Sequence, residues 1–447
     1  MQEVRGSTLL GSTFFCWGGG TGIRAGLKNQ SLHGGEGSIP SPSTLNSFVN
    51  LSHPFRLTIP PKAAMIGPMP APIYLDYAST TPTDPHVIEA MAPFFFEHFG
   101  NASSPHKYGR DARKAVEESR EILANFVGAL PIEVIFTASA TESNNHAILS
   151  SARLSTKKHI VASAIEHHSI LEPLHRLEGE GFQVTFLKSR SDGIIHFDDV
   201  AAAIQPDTFL VCLQHANNEI GTIQPVEAVG QLCRQKGIYF LVDATQTIGH
   251  ILVDVKTMNC DFLSLSAHKF YGPSGVGALY ARKGIELPAL LSGGDQERGR
   301  RAGTHNTPGI VGLGKAIMLA QHQMKEAAVR EAKLRDQVIA GVLEIPGAQL
   351  NGSAQERLPN NAHFSFENID GETLVSALDM AGIAVSMGSA CTWGQLQPSH
   401  VLKAIGLSDR MALGSLRVTV GRWTTEADIN YFLQQLKEKI SQLRKAS

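Results

Sequence analysis

The chain has 447 residues, of which 43% are hydrophobic, and its formal net charge is -2. This length accommodates one large domain or two smaller ones, and the apolar content allows a sizeable buried core. The small net charge gives no electrostatic reason to expect nucleic acid or an anionic membrane as a partner. No apolar run approaches the roughly 18–20 residues that span a bilayer. We therefore predict no nucleic-acid partner and no membrane span.

Five cysteines are spread along the chain, and none belongs to a CxxC pair. An odd number without paired spacing is a poor disulfide framework and a poor zinc site, so we predict a reducing compartment and no resident metal. Cys212 and Cys233 lie in apolar periodic segments, where free cysteine packs as a small hydrophobic side chain. Cys391 lies instead in a loop of small residues, which is typical of an accessible and reactive thiol.

Residues 1–68 are rich in glycine, serine and proline and show no sustained helical or strand periodicity. We predict that this segment is a disordered extension. In this interpretation it is an over-long start, and the true beginning of the protein lies near Met65 or Met69. A targeting segment is the alternative, although basic residues are sparse for an organellar transit peptide. The expected compartment is the cytoplasm, or an organelle if the extension is a transit peptide.

From Ile73 onward, short apolar strands alternate with helix-period segments. The predicted strands are 133–136, 159–161, 182–187, 209–213, 238–242 and 262–265, and the predicted helices are 110–127, 142–152, 170–178 and 226–236. Such alternation favours a mostly parallel sheet that is covered by helices on both faces. After about residue 325 a long polar helix leads to a smaller α+β unit, which ends in a helix from Thr425.

Polar residues follow several of these strands, and ligands of open α/β sheets gather beyond the carboxyl ends of the strands. After Phe136, a helix opens with small residues that include Ala140 and Thr141. The helix dipole and the first backbone N–H groups would suit a phosphate there. An ordinary cap by Thr141 explains the same pattern. The sequence leaves both interpretations open.

Asp243 and Lys269 also stand at strand ends. A carboxylate at Asp243 would either cap the next helix or pair with a protonated pyridine nitrogen. Lysine is normally exposed, so Lys269 directly after a buried strand is a candidate Schiff-base nucleophile. Ser266 and His268 flank it as donors that suit phosphate oxygens. A solvated loop lysine is the competing interpretation, and the three residues together favour a pyridoxal-phosphate (PLP) site.

Eight stretches, in order along the chain, resemble the cysteine desulfurases of the nitrogen-fixation and iron–sulfur-cluster type, within the class V aminotransferases. They are 74–77, 140–144, 165–168, 217–221, 242–246, 266–269, 299–304 and 388–392. The resemblance implies the α/β fold of PLP-dependent transferases of fold type I. That fold has a large domain with a mostly parallel seven-stranded sheet and a smaller C-terminal α+β domain. The implied division is 1–68 for the extension, 69–85 for a segment joining the small domain, 86–324 for the PLP-binding domain and 325–447 for the small domain.

The resemblance also implies roles for matching residues around the cofactor ring. Lys269 forms the Schiff base and moves protons, and Asp243 pairs with the pyridine nitrogen. Gln246 reaches the phenolic oxygen, and His167 stacks on the ring face and joins the catalytic set. The implied phosphate contacts are Ala140, Thr141, Ser266, His268 and, from the second subunit of a homodimer, Thr304.

For the substrate, L-cysteine, the resemblance implies contacts to Asn218 and a bidentate carboxylate contact to Arg417. Cys391 attacks the substrate sulfur, which yields L-alanine and a persulfide on Cys391. The sulfur then passes to an acceptor such as an iron–sulfur scaffold, with Cys391 as a candidate cluster ligand during transfer. Trp393 soon after Cys391, and His305 after Thr304, depart from the usual family pattern.

Two other classes of function compete with this one. Another fold type I enzyme, such as a selenocysteine lyase or an aminotransferase, would share the cofactor residues. A transaminase, however, has no need of Cys391 in a loop of small residues. A non-catalytic sulfur carrier on the same fold would have no need of Lys269 or Asp243, and both are present.

Overall fold

The computed structural model describes residues 72–388 and 397–446. The extension predicted at 1–68, as well as Cys391 and Trp393, lie outside the described residues. Cys212, Cys233 and Cys260 are free and buried, which confirms the core position predicted for the first two. Within the described ranges, no helix is both long and apolar enough to cross a membrane.

The described residues form twelve strands, and seven of them make the largest sheet. In chain order the strands are β1 (Ile73–Tyr74), β2 (Val134–Thr137), β3 (His159–Ser163), β4 (Gln183–Leu187), β5 (Thr208–Gln214), β6 (Tyr239–Asp243), β7 (Phe262–Ser266), β8 (Gly277–Ala281), β9 (Ala348–Leu350), β10 (Asn361–Phe366), β11 (Ile383–Ala384) and β12 (Ser415–Thr419). The large sheet has the order β2-β8-β7-β6-β5-β3-β4. Strand β8 runs antiparallel to both of its neighbours, β2 and β7, and the other pairs of this sheet are parallel. The mostly parallel seven-stranded sheet is therefore confirmed.

Helices cover this sheet and continue into the C-terminal part of the chain. In the described ranges they are α1 (Pro85–Met91), α2 (Pro93–Phe96), α3 (Lys107–Val127), α4 (Ala140–Leu154), α5 (His168–Gly179), α6 (Phe197–Ala203), α7 (Val226–Lys236), α8 (Thr307–Leu343), α9 (Gly371–Asp379), α10 (His400–Ala404), α11 (Asp409–Leu413) and α12 (Glu426–Ala446). Helices α3 and α7 end at Gly128 and Gly237, which have left-handed backbone conformations that glycine adopts without strain.

Helix α8 contributes to two hydrophobic clusters. Its residues from Ile310 to Ile317 pack with the cluster that includes strands of the large sheet. Its residues from Leu334 to Val342 pack with a second cluster, which also contains apolar side chains of β10, β12 and α12. The helix begins at Thr307, earlier than the residue near 325 that the sequence indicated. The proposed domain boundary at 324/325 therefore falls inside a continuous helix.

The start of the described chain lies beside β11 and β12. Strands β9, β10 and β12 form an antiparallel sheet, and β1 pairs with β11 in parallel. Just after β1, the Leu75 carbonyl accepts the Thr419 N–H at 2.8 Å. The Ala78 N–H donates to Thr419 Oγ1 at 3.0 Å. These contacts fix the segment from Leu75 to Ser79 beside the carboxyl ends of the large sheet.

Candidate active site

A cleft of about 270 Å³ lies at the carboxyl ends of the parallel strands. Most of the predicted cofactor residues line it: Ala140, Thr141, His167, Asn218, Asp243, Gln246, Ser266, His268 and Lys269. These residues end or follow β2, β3, β5, β6 and β7, and the ends of neighbouring parallel strands meet at one edge of a sheet. The structure thus brings together positions that are far apart in the sequence.

One end of the cleft is formed by the start of helix α4. Ser139 is its N-cap, and Ser139 Oγ accepts the Glu142 N–H at 3.2 Å. The cap is therefore Ser139 and not Thr141. The N–H groups of Ala140 and Thr141 belong to the first turn, where helical geometry supplies no acceptor. Both residues line the cleft, so this end has the donors and the dipole that an anionic group requires.

Asp243 is buried at the end of β6, and its two carboxylate oxygens have different partners. Oδ1 accepts the Thr245 N–H at 2.9 Å, in a turn and not at the start of a helix, as the capping interpretation requires. Oδ2 accepts Asn144 Nδ2 at 2.8 Å, and the same amide nitrogen also donates to Ser169 Oγ at 2.9 Å. Asn144 therefore orients the carboxylate from helix α4.

His167 is the N-cap of helix α5. Its Nδ1 accepts the Ser169 N–H at 3.1 Å, so a neutral ring carries its proton on Nε2. Burial lowers the pKa of His167, and the charge of Lys269 acts in the same direction while Asp243 opposes it. The ring is consequently uncharged near neutral pH, and it can pack against another ring without bringing a cation to that face.

Lys269 lies in a 3₁₀ turn, Ala267–Lys269, directly after β7. Its Nζ donates to the carbonyl oxygens of Ala78 at 2.7 Å and Ser79 at 2.8 Å. The amine is thus held at the cleft by the segment that follows β1. Gln246 Nε2 donates to the same Ala78 carbonyl at 3.1 Å.

His268 lies beside Lys269 and faces the same N-terminal segment. Its Nδ1 is 3.1 Å from Thr80 Oγ1, and its carbonyl accepts the Thr81 N–H at 2.8 Å. Burial, together with the neighbouring charge of Lys269, lowers the pKa of His268 to about 4. The imidazole is therefore neutral at physiological pH and offers a hydrogen bond rather than a charge.

Arg417 on β12 is not among the residues that line the cleft. Its side chain is 2% exposed, and Nη2 donates to Asp76 Oδ1 at 2.8 Å and to Ser79 Oγ at 2.6 Å. Nη1 donates to the Asn218 carbonyl at 2.8 Å. Within the described part of the chain, the buried Nε has no hydrogen-bond partner. Arg417 therefore adjoins the cleft through Ser79 and Asn218, both of which line it.

Two other predicted residues remain, Thr304 and Cys391. Thr304 is exposed and lines a second, smaller cleft together with Thr137, Ala138 and Arg301. Cys391 is outside the described residues, but Gly388, three positions earlier, lines the main cleft.

Several residues that build the site were not assigned a role from the sequence. Asn144 and Ser169 orient Asp243 and His167, and Asp76 pairs with Arg417. Asn144 and Asp76 belong to two stretches that carry the family resemblance, 140–144 and 74–77. Their membership of these stretches is the feature of the sequence that could have indicated a role in the site. Ser169 lies one residue beyond such a stretch.

The chemistry of the cleft fits PLP. A helix N-terminus suits the phosphate, a buried carboxylate suits a protonated ring nitrogen, and a lysine suits the aldehyde. Thr245 lines the cleft, and its Oγ1 is buried and has no hydrogen-bond partner among the described residues. A buried hydroxyl in this situation is explained by a polar group that binds in the cleft.

The model of the family "Aminotransferase class-V" matches residues 73–432. A protein named cysteine desulfurase IscS, from Dictyoglomus turgidum, is 50% identical over 378 residues, which cover 84% of this chain and 96% of that protein. A solved NifS-like protein is 38% identical with a TM-score of 0.78, and the match covers 83% of this chain and 99% of that one. The structure "SspA in complex with cysteine" is 39% identical with a TM-score of 0.71, covering 79% and 100%. The chain therefore belongs to the class V aminotransferases and, within them, to the PLP-dependent cysteine desulfurases.

Proposed function

We propose that this enzyme takes sulfur from L-cysteine, releases L-alanine and carries the sulfur as a persulfide on Cys391. The observation that supports this most strongly is the meeting of three groups in one cleft. They are the Lys269 amine, the buried Asp243 carboxylate and the N-terminus of helix α4. Relatives named cysteine desulfurase, and a related structure described as a complex with cysteine, support the same substrate.

In this proposal Lys269 holds PLP covalently as a Schiff base. PLP, when bound, supplies an electron sink for bonds at the substrate α-carbon. The Lys269 amine would move the proton that leaves the substrate α-carbon. The Asp243 carboxylate keeps a proton on the ring nitrogen, and Asn144 fixes the orientation of that carboxylate. The His167 ring, whose pKa is lowered by burial, would pack against the cofactor ring.

The phosphate is proposed to bind at the other end of the cleft. The N–H groups of Ala140 and Thr141 donate to it, aided by the dipole of α4. Ser266 and the neutral His268 add side-chain donors. Gln246, which already donates to the Ala78 carbonyl, is proposed to donate to the phenolic oxygen.

The substrate carboxylate is proposed to bind Arg417, with Asn218 beside it. A bidentate contact needs two N–H groups of the guanidinium. Nε has no partner among the described residues, whereas Nη2 donates to Asp76 and Ser79. Substrate binding therefore has to replace one of these internal contacts.

The sulfur transfer is proposed to use the Cys391 thiolate as the nucleophile. Its sulfur attacks the sulfur of the substrate, so that an S–S bond forms and the C–S bond breaks. The electron pair of the broken bond stays on the substrate β-carbon, which then takes up a proton and becomes the methyl group of alanine. The persulfide sulfur is the product that an acceptor removes, and a scaffold protein of iron–sulfur assembly is the proposed acceptor.

The experiment that tests this function compares alanine production by the wild type and by Cys391→Ser. We expect the serine variant to bind PLP and cysteine but to form neither alanine at a normal rate nor a persulfide, because a hydroxyl at neutral pH does not attack sulfur as a thiolate does. Intact-protein mass spectrometry should detect one additional sulfur atom on every protein that retains Cys391 and none on Cys391→Ser. Cys16→Ser is the control for the loss of a thiol. Near-normal alanine production by Cys391→Ser with dithiothreitol would contradict the persulfide mechanism and leave a PLP lyase.

The assembly is proposed to be an obligate homodimer in which Thr304 contacts the phosphate bound by the other subunit. The support is that Thr304 is exposed and lies outside the cleft of its own chain. Sedimentation should give a dimer at all concentrations at which the enzyme is active. An active monomer would exclude this arrangement.

The compartment is proposed to be the cytoplasm, with an organelle as the alternative if residues 1–68 direct import. The free thiols of Cys212, Cys233 and Cys260 are compatible with a reducing environment. Fluorescence microscopy of the chain fused at its C-terminus, with and without residues 1–68, would distinguish the two locations.

A further inference from the structure

We propose that Arg301 is a positioning residue for the phosphate end of the cleft. Its role is to neutralise the Glu142 carboxylate at the start of helix α4, so that this helix terminus remains attractive to a dianionic phosphate. The inference rests on the proposed function in one respect, because it takes the phosphate to bind at Ala140 and Thr141.

The two side chains form a paired contact. Arg301 Nε donates to Glu142 Oε1 at 2.9 Å, and Nη2 donates to Oε2 at 3.3 Å. The side chains are 20% and 14% exposed, so solvent screens this pair less than it screens an exposed one. Glu142 Oε2 also accepts the Ala138 N–H at 2.7 Å. The carboxylate therefore lies against the turn that leads to Ala140 and Thr141.

The location creates an electrostatic conflict. A carboxylate in the first turn of a helix is stabilised by the helix dipole. The proposed phosphate uses the same positive helix end, and two negative groups there repel each other. Arg301 resolves the conflict because its cation balances Glu142, while the carboxylate still accepts the Ala138 N–H.

The loop that carries Arg301 is itself fixed to the large sheet. Glu297 accepts from Arg120 at 2.7 and 2.8 Å and from the Phe136 N–H at 3.0 Å. Burial alone would raise the pKa of Glu297, but the hydrogen bonds from Arg120 and His305 lower it to about 2, so the group is a carboxylate. Phe136 is in β2, the strand that leads to the phosphate-binding turn.

His305, which departs from the family pattern, has a place in this anchor. Its Nε2 is 2.7 Å from Glu297 Oε1. The backbone at Glu297 and Arg298 has φ of 50° and 60°, a left-handed conformation that non-glycine residues adopt only where surrounding contacts maintain it. The Glu297 contacts supply that support and thereby hold Arg301 opposite Glu142.

The same loop offers a matched control. Arg298 Nη2 is 3.5 Å from Glu117 Oε2, and the two side chains are 43% and 44% exposed. Arg298→Gln therefore removes the same charge from the same loop, but the pair that it breaks is solvent-exposed and Glu117 is in α3. Such exposed pairs contribute little.

The test measures the affinity of cofactor-free enzyme for PLP and for pyridoxal, which lacks the phosphate. We expect Arg301→Gln to weaken PLP binding about tenfold and to leave pyridoxal binding within about twofold, because the unbalanced Glu142 charge acts on the phosphate. The double variant Arg301→Gln/Glu142→Gln should recover PLP affinity to within about threefold of the wild type. Arg298→Gln should bind both compounds as the wild type does.

Three results would overturn the inference. They are an unchanged PLP affinity in Arg301→Gln, an equal loss for PLP and pyridoxal, and a double variant as weak as Arg301→Gln. The second and third would indicate a structural role or a direct phosphate contact. Borohydride trapping followed by peptide mapping separates this inference from the proposed function. If PLP is trapped on Lys269 in every variant while the affinities behave otherwise, only the role of Arg301 is wrong. If PLP is not trapped on Lys269 in the wild type, the proposed function itself is wrong.

Discussion

The two sides of the cleft are prepared for binding to different degrees. On the side of the large sheet, Asp243 and the first turn of α4 line the cleft and are fixed by neighbouring elements. On the other side, Arg417 is buried, does not line the cleft and donates to Asp76 and Ser79. Asp243 and the first turn of α4 can bind a cofactor with their contacts as they stand, whereas Arg417 has to exchange an internal contact for the substrate. We therefore expect changes on the first side to affect cofactor chemistry, and changes on the second side to affect the concentration dependence on cysteine.

The largest effect is expected for Lys269→Ala. Without the amine no Schiff base forms with the enzyme, so the borohydride-trapped adduct should disappear and turnover should fall by about three orders of magnitude or more. Circular dichroism should remain that of the wild type. Lys256→Ala, an exposed lysine elsewhere, is the control. Retention of the adduct in Lys269→Ala would assign the Schiff base to another lysine.

Asp243→Asn should keep the cofactor and reduce kcat about a hundredfold or more. An amide does not hold the ring nitrogen protonated, so the electron sink is lost while binding contacts remain. Asp254→Asn is an informative control, because Asp254 Oδ1 accepts the N–H groups of Lys256 and Thr257 in a cap-type contact away from the cleft. Equal behaviour of the two variants would mean that Asp243 also serves only its local turn.

Arg417→Lys tests the role of the substrate side of the cleft in binding cysteine. We expect KM for cysteine to rise about tenfold or more, with cofactor absorbance unchanged, because lysine cannot make a bidentate contact with a carboxylate. Arg422→Lys removes a comparable guanidinium that pairs with Asp84 outside the cleft, and it should leave KM unchanged. Loss of cofactor from Arg417→Lys, with KM unaffected, would assign Arg417 to the cofactor side.

A smaller effect is expected on stability in acid. His363 on β10 accepts from Asn351 at Nδ1 and contacts the Met387 carbonyl through Nε2, and burial lowers its pKa to about 3. In the unfolded chain the His363 imidazole takes up a proton near pH 6.5, whereas in the folded chain it does so only near pH 3. The contribution of His363 to the free energy of unfolding is therefore complete above pH 6.5 and is lost as the pH falls toward 3. At pH 5 the loss amounts to about 2 kcal/mol.

Urea unfolding at pH 7.5 and pH 5 would measure this contribution. The difference in unfolding free energy between the two pH values should be about 2 kcal/mol smaller in His363→Asn than in the wild type. His215 and His268, whose pKa values are each lowered to about 4, are present in both proteins, so their contributions cancel. An equal acid sensitivity of the two proteins would contradict the prediction.

The sequence predicted the cofactor side of the molecule better than the substrate side. Strands such as β5 and β6 are continuous apolar runs, and the polar residues that follow them mark the edge where ligands bind. The sequence pattern does not predict strand β8, because the strand has only five residues, includes small side chains and follows a turn rich in glycine. The contact between Asp76 and Arg417 joins positions 341 residues apart, and no local sequence pattern predicts such a contact. The start of α8 was placed too late, because its first turns are apolar and glycine-rich rather than polar.

The closure of the chain beside β12 determines when the site is completed during synthesis. The carbonyl of Ala78 that accepts from Lys269 belongs to a residue whose own N–H is held by Thr419. Lys269 leaves the ribosome long before Thr419 does, and at about 5–20 residues per second the interval is roughly 8 to 30 seconds. During that interval the nascent chain contains the strand ends and Lys269, but Thr419 does not yet fix the segment from Leu75 to Ser79 that holds the amine. Stable incorporation of the cofactor should therefore require β12, and a ribosome-bound chain that ends before β12 should exchange PLP freely.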